Sequence, residues 1–470
     1  MRPRELHGGP DVHALLGVPR DAARPPGGRV MAGRSLGDSV IGWYGDVAAR
    51  GLDSHPDAVR HWLMAGFRLM ARKSQFAPDG RFLPSGRRGY ALFMRSMVDA
   101  MADPDNSVLT SVFMPTESLR ALGLKPVTSE AIASFVSGAQ AEGAFLGCAE
   151  GAGIPETYCS YHRALMGMAE SGVLRPRRLL ASTSVACDAN NLSFKSLARR
   201  WGAQSAYVDV PYDVTRDGIA YVADQLRDVT HQAEDIFGRS LDESLLRQMV
   251  ARSLATQDAL EATLPHRGER YLANTMTLDM MEMLDLHLLL GTDEALGLAR
   301  GMGDDLARQP AYDGAKLVWA HVSPYFLGSI GSLVDCSQTA QVVAGDMMFD
   351  CLTPPEGRLY DETHPFEAMA ERVVRNCFNG PATRRAQTLV RLAERTGADG
   401  AVVFCHWGCK ETSGAAQLIR GRLEGAGFPT LVLDGDAVDR ANCMEGQMST
   451  RFSAFLELLQ ERKGRVHDSQ

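Results

Sequence analysis

The chain has 470 residues, too many for one ordinary hydrophobic core, so two or three packed units are expected. An apolar content of 45% with 23% charged residues excludes wholesale disorder, and a net charge of −8 supplies no overall basic face for nucleic acid. No stretch reads as a membrane span: the most apolar runs, 276–290 and 322–334, are too short, and the first carries Asp279, Glu282 and Asp285.

Residues 1–34 are rich in Pro, Gly and Arg, lack the apolar core of a signal peptide and read as a disordered leader, so that Met31 is an alternative start. Without an export signal a cytoplasmic, reducing location follows, in which the nine cysteines do not form a disulfide framework. Residues 40–71 and 90–101 place Trp43, Trp62, Leu63 and Phe67 among apolar residues at helical spacing, giving an N-terminal helical layer over 35–104. From 105 to 216 the texture becomes α/β. Strand-like runs at 108–114, 178–186 and 206–210 alternate with a helix entry at Pro115-Thr116-Glu117 and a helix over 191–200. Residues 217–310 read as a helical bridge. Alternation resumes over 311–465, through 316–321, 329–335, 341–343, a helix at 383–395, a strand at 400–405, a helix at 414–424, a strand at 430–434 and a closing helix at 451–461. The expected fold is two Rossmann-like or flavodoxin-like parallel-sheet domains joined by a helical segment. Each domain runs strand to cysteine to helix, which suggests an internal duplication.

In open α/β sheets, function collects beyond the carboxyl ends of the strands. Cys187 follows RLLASTSVA and precedes a helix, and Cys409 follows GAVVFCHWG and does the same. Cys159 precedes a helix over roughly 163–171. A helix N-terminus favours a thiolate and readies it for a metal. None of the three belongs to a C-x-x-C pair, so spacing alone leaves a structural reading open beside a redox or metal site. Cys405 reads as strand core, and Cys148, Cys336, Cys351, Cys377 and Cys443 as structural.

The words PETYCS (155–160), ACDA (186–189), VDVPY (208–212), VFMPTE (112–117), Gly380-Pro381 with Arg384 or Arg385, HWGCK (406–410), Phe428-Pro429-Thr430 and Asp434-Gly435-Asp436 occur in one order across residues 109–459. Together they resemble the 2-hydroxyacyl-CoA dehydratase family, which includes benzoyl-CoA reductase subunits. The resemblance implies a [4Fe–4S] cluster held by Cys159, Cys187 and Cys409 with one iron left open. It implies an acyl-CoA substrate, which the net charge does not exclude, since a few local Lys or Arg can hold one. It also implies loss of water from a 2-hydroxyacyl-CoA through a ketyl radical, a related second subunit or a second copy, and a separate ATP-dependent iron–sulfur activator. No P-loop motif occurs in the chain, in keeping with ATP being handled elsewhere.

Around the cysteines, Glu117, Ser160 and His162 are the candidate catalytic groups. Glu117 matches a family glutamate and could face the thioester, or simply favour the dipole of its helix. Ser160 could hydrogen-bond the cluster or cap its helix, and His162 could carry a proton or stand behind the site. His406 is similarly placed, Lys410 could pair with a phosphate, and Asp188 and Asn190 would shape the loop after Cys187. The rival activities are an ATP-dependent reductase with the same cluster and a non-catalytic scaffold or maturation partner. A double-cubane reductase would need a further cysteine, for which Cys148 and Cys405 are the candidates.

Overall fold

The computed structural model describes residues 36–468; the expected leader and the Met31 start lie outside the described residues. Among the described residues are two four-stranded sheets, parallel throughout. The first is built from β1 (Ser107–Thr110), β2 (Lys125–Thr128), β3 (Leu179–Thr183) and β4 (Gln204–Val208), in the order β2-β1-β3-β4. The second, β5 (Ala315–Ala320), β6 (Ala340–Gly345), β7 (Gly400–His406) and β8 (Thr430–Gly435), has the order β6-β5-β7-β8. The second order repeats the first, so the duplication suggested by the strand–cysteine–helix pattern is one of topology. In such an order the chain departs in opposite directions between the first and third strands of each sheet, which opens a crevice at their carboxyl ends.

The inner strands β1, β3, β5 and β7 are buried almost throughout, as continuous apolar runs must be when helices cover both faces, whereas the edge strands β4 and β8 are partly exposed. β2 was not anticipated: it is four residues long and carries Pro126. A proline cannot donate to a ladder, and β2 tolerates it because it lies at the sheet edge. The run at 329–335 is a short helix (Gly328–Val334) linking β5 to β6. The strand expected over 108–114 stops at Thr110, and Ser111 to Pro115 form the turn into helix α1 (Glu117–Ala121).

The N-terminal layer consists of Leu36–Gly51, Pro56–Phe76 and Pro84–Ala102. Leu63 and Phe67 are buried, whereas Trp43 is exposed. The bridge is also helical, with Arg216–Phe237 ending at Gly238 in the left-handed conformation and Glu243–Glu261 starting on an Asp242 cap. Residues 41–468 belong to one compact unit, in which the layer from Ile41 onward, the sheets and the bridge share a core. No described helix is long and apolar enough to cross a membrane.

Candidate metal centre

All three candidate cysteines are helix N-caps. Cys159 precedes α2 (Ser160–Glu170), Cys187 precedes α3 (Asp188–Trp201) at the end of β3, and Cys409 precedes α4 (Lys410–Gly425) at the end of β7. Cys187 and Cys409 therefore occupy equivalent positions in the two sheets. Each follows a residue with positive φ, Ala186 at 66° and Gly408 at 80°. For alanine this conformation costs about 1–2 kcal/mol, strain of the kind that gathers at functional sites. At 408 only glycine fits: a Cβ there would lie 2.7 Å from the Cys159 amide nitrogen and 2.8 Å from its Cα. This close approach sets the Cys409 turn directly on the Cys159 backbone.

Each sulfur has one imidazole beside it. Cys159 Sγ is 3.4 Å from His406 Nε2, Cys187 Sγ is 3.6 Å from His162 Nε2, and Cys409 Sγ is 3.6 Å from His321 Nε2. The Asn190 amide N–H donates to Cys187 Sγ at 3.3 Å. The Ala437 N–H donates to His406 Nδ1 at 3.1 Å, so the neutral ring carries its proton on Nε2 and offers it to Cys159 Sγ or to Ser160 Oγ, 3.4 Å away. Ser160 Oγ in turn donates to Asp436 Oδ1 at 2.6 Å, and that oxygen also accepts the Val438 and Asp439 N–H groups. On the Cys409 side, Asp346 accepts the His321 N–H at 2.7 Å and the Arg385 Nε–H at 2.7 Å, while Arg385 Nη1 reaches Thr412 at 2.9 Å.

Helix N-termini were expected to lower the thiol pKa values, and burial outweighs them. Burial pushes all three thiols up; for Cys159 the neighbouring Cys187 and Cys409 add to the push, and for Cys187 so do Glu130 and Cys409. Burial likewise lowers His406 and His321, and takes His162 to about 3, so the imidazoles are held neutral. Several buried polar atoms here have no partner: His162 Nδ1, His321 Nδ1, Asp436 Oδ2 and Arg385 Nη2. Buried polar atoms are usually paired, and a cluster of exceptions marks a place where something else belongs.

The donor set fits a thiophilic centre. Three thiols whose charge is penalised by burial are what a bound cationic centre would stabilise, and sulfur selects soft metals or iron–sulfur clusters over Mg²⁺ or Ca²⁺. Among the described residues, no three His, Cys, Asp or Glu side chains are drawn together as ligands of a single ion. A cubane binds each thiolate at a different iron, and so does not require such a grouping.

The structure separates the remaining candidates. Ser160 and His162 are fully buried beside the thiols, and Asn190 shapes the Cys187 loop by bonding Glu130. Asp188 and Lys410 are exposed. Glu117 does not contact the thiols. Its carboxylate is shared between Arg372, at 2.6 and 3.0 Å, and Ser253 Oγ at 2.8 Å. Burial would raise its pKa, but the Arg372 guanidinium overrides that and holds the carboxyl below its ordinary value. Cys148 has Asp53 and Glu170 as its electrostatic neighbours rather than the three thiols, whereas Cys405 lies within reach of Cys409 but inside β7. His321, Asp436 and Arg385 were not singled out as site residues, although His321 ends the KLVWAH run and the other two stand in the words that carry the family resemblance.

Residues 111–459 match the family described as 2-hydroxyglutaryl-CoA dehydratase, D-component. The chain belongs to this family. It is 22% identical over 374 residues to the (R)-phenyllactyl-CoA dehydratase alpha subunit of Clostridium sporogenes, covering 74% of this chain and 88% of that protein. It is 23% identical over 397 residues to the lactoyl-CoA dehydratase subunit alpha of Anaerotignum propionicum, covering 74% and 89%.

Proposed function

We propose that this chain is the iron–sulfur subunit of a 2-hydroxyacyl-CoA dehydratase, a hydro-lyase, working with a related second subunit. The observation that carries this reading is a set of three helix-capping cysteines from both sheets, one buried and two half-buried, each beside one neutral imidazole, in a chain of this family. Cys159, Cys187 and Cys409 would hold a [4Fe–4S] cluster. When bound, such a cluster supplies one-electron chemistry and, at an iron without a thiolate, a Lewis-acid position for a substrate oxygen.

The reaction removes the 2-hydroxyl group and one β-proton as water. A β-proton of a saturated thioester is barely acidic; one electron added transiently to the thioester gives a ketyl radical anion that expels the hydroxyl, and the β-proton of the resulting radical is far more acidic. The electron is returned afterwards, so none is consumed. The low-potential electron comes from a separate ATP-dependent iron–sulfur activator, and the chain works in the cytoplasm. Within the chain, His406 and Ser160 fix protons at defined atoms: Nε2–H aimed at Cys159 or Ser160, and Oγ–H aimed at Asp436. His162, itself buried and held neutral, places a second polar group beside Cys187. Glu117, with both oxygens already bonded, is assigned to holding the bridge against the domains rather than to proton transfer.

Anaerobic purification followed by iron and sulfide analysis tests the reading, with about four of each expected per chain. Cys187→Ala is expected to lose iron and all dehydratase activity. Normal iron content in that variant would overturn the ligand assignment, and stoichiometric consumption of electrons would replace dehydration with reduction.

A further inference from the structure

Away from the cysteines, the N-terminal layer holds a groove of about 690 Å³ between Pro56–Phe76, Pro84–Ala102 and the bridge helix Asp293–Ala307. Its size lies within the range of small-molecule sites. Four arginines line it, in a protein of net charge −8: Arg68 and Arg72 from the first helix, and Arg88 and Arg95 from the second. Among the described residues, none of the four makes a hydrogen bond or an ion pair, although the buried Asp285 feels Arg95 electrostatically. The groove also contains two carboxylates. One of them, Asp293, is already taken by Arg252 at 2.7 Å, which leaves Glu294.

The placement is not neutral for the fold. Arg68 and Arg72 stand four apart on one helix face, and Arg88 and Arg95 stand seven apart on another. Like charges at a spacing of four disfavour a helix by a few tenths of a kcal/mol, without compensation here. Apart from Gln75 and the two carboxylates, the rest of the lining is apolar, with Ala71, Ala91, Leu92, Val98 and Leu298. Unpaired planar guanidinium groups around an apolar floor match a ligand with a flat apolar ring and a doubly charged phosphate chain.

From this groove we infer a binding site for an adenosine diphosphate moiety, its phosphates held by Arg68, Arg72 and Arg95 and its base on the apolar floor. That moiety is common to free adenine nucleotides and to coenzyme A, and the test separates the two. The inference does not depend on the cysteine site.

The full chain is titrated calorimetrically at low salt with ADP, coenzyme A and inorganic pyrophosphate. Saturable binding of ADP is expected, at least tenfold tighter than pyrophosphate and weakened severalfold by 0.5 M salt. Arg72→Gln and Arg95→Gln, both at exposed positions, are each expected to weaken it by tenfold or more with an unchanged thermal midpoint. Cys187→Ala is expected to leave it unchanged, so that failure here and failure of the dehydratase reading are told apart. Coenzyme A binding at least as tightly as ADP, with the same response to the arginine variants, assigns the site to the acyl-CoA; tighter ADP assigns it to a free nucleotide. Absence of saturable binding, pyrophosphate binding as tight as ADP, or binding that survives both arginine variants overturns the inference. So does a loss of subunit association, in place of ligand binding, in those variants.

Discussion

Two buried polar clusters in this protein are built on opposite plans. At Glu117 the charges are paired: both carboxylate oxygens are taken by Arg372 and Ser253, and Arg120 of the same helix reaches the Leu288 carbonyl. At the cysteine cluster the thiols have long contacts to imidazoles, with one backbone N–H on Cys187 and Thr412 near Cys409, and Asp436 Oδ2, His162 Nδ1, His321 Nδ1 and Arg385 Nη2 have no partner. The Glu117 arrangement ties a sheet domain to the bridge through Ser253. The second leaves buried polar atoms without partners, which fits the cluster proposed above.

The contrast predicts different failures. Glu117→Gln leaves Arg372 buried without its counter-charge and should destabilise the fold by about 3–5 kcal/mol, read in a denaturant titration, with iron content per folded chain unchanged. A loss of activity without a loss of stability would instead make Glu117 a participant in the reaction. Gly408→Ala should cost about 2 kcal/mol, because it adds a Cβ against the Cys159 backbone in a left-handed turn. Iron should then be lost before the fold is, since the substitution separates two of the thiols; equal loss of both would mean that the turn serves stability alone. His406→Leu removes the Nε2–H beside Cys159. At about 0.5–1.5 kcal/mol for the hydrogen bond, the reduction potential of the iron-loaded protein should fall by roughly 20–60 mV while iron is retained. An unchanged potential would place the His406 proton on Ser160 rather than on the sulfur.

The smallest expected effect lies at His287, 3.3 Å from Asp350. Burial alone would lower its pKa; Asp350 and the Met283 carbonyl override this and hold it above its ordinary value. Its contribution to stability is therefore complete below about pH 6.5 and is lost as pH rises through the raised folded value. The thermal midpoint should decline over that window in the parent chain, and His287→Gln should flatten the decline.

Much of this architecture could be read along the chain because it is written in local pattern. The runs KLVWA, GAVVFC and TLVLD are largely apolar segments between turn residues, and each is a parallel strand, the first two buried and the third a half-buried edge strand. The placement of Cys187 and Cys409 between a strand and a helix was equally local, and so was their role as helix caps. β2 escaped notice because a four-residue edge strand with a proline carries almost no pattern.

What the sequence determined by itself was the two-sheet α/β plan, the family and the three cysteines as candidates. Folding alone decided which of the other candidates join them. Glu117 and Ser160 carry equally suggestive neighbours in sequence. Their fates differ because Arg372 arrives beside Glu117 from 255 residues away, whereas Asp436 and His406 reach Ser160 from 276 and 246 residues away. Whether a buried polar group is satisfied depends on what packs against it across the whole chain, and no local pattern records that.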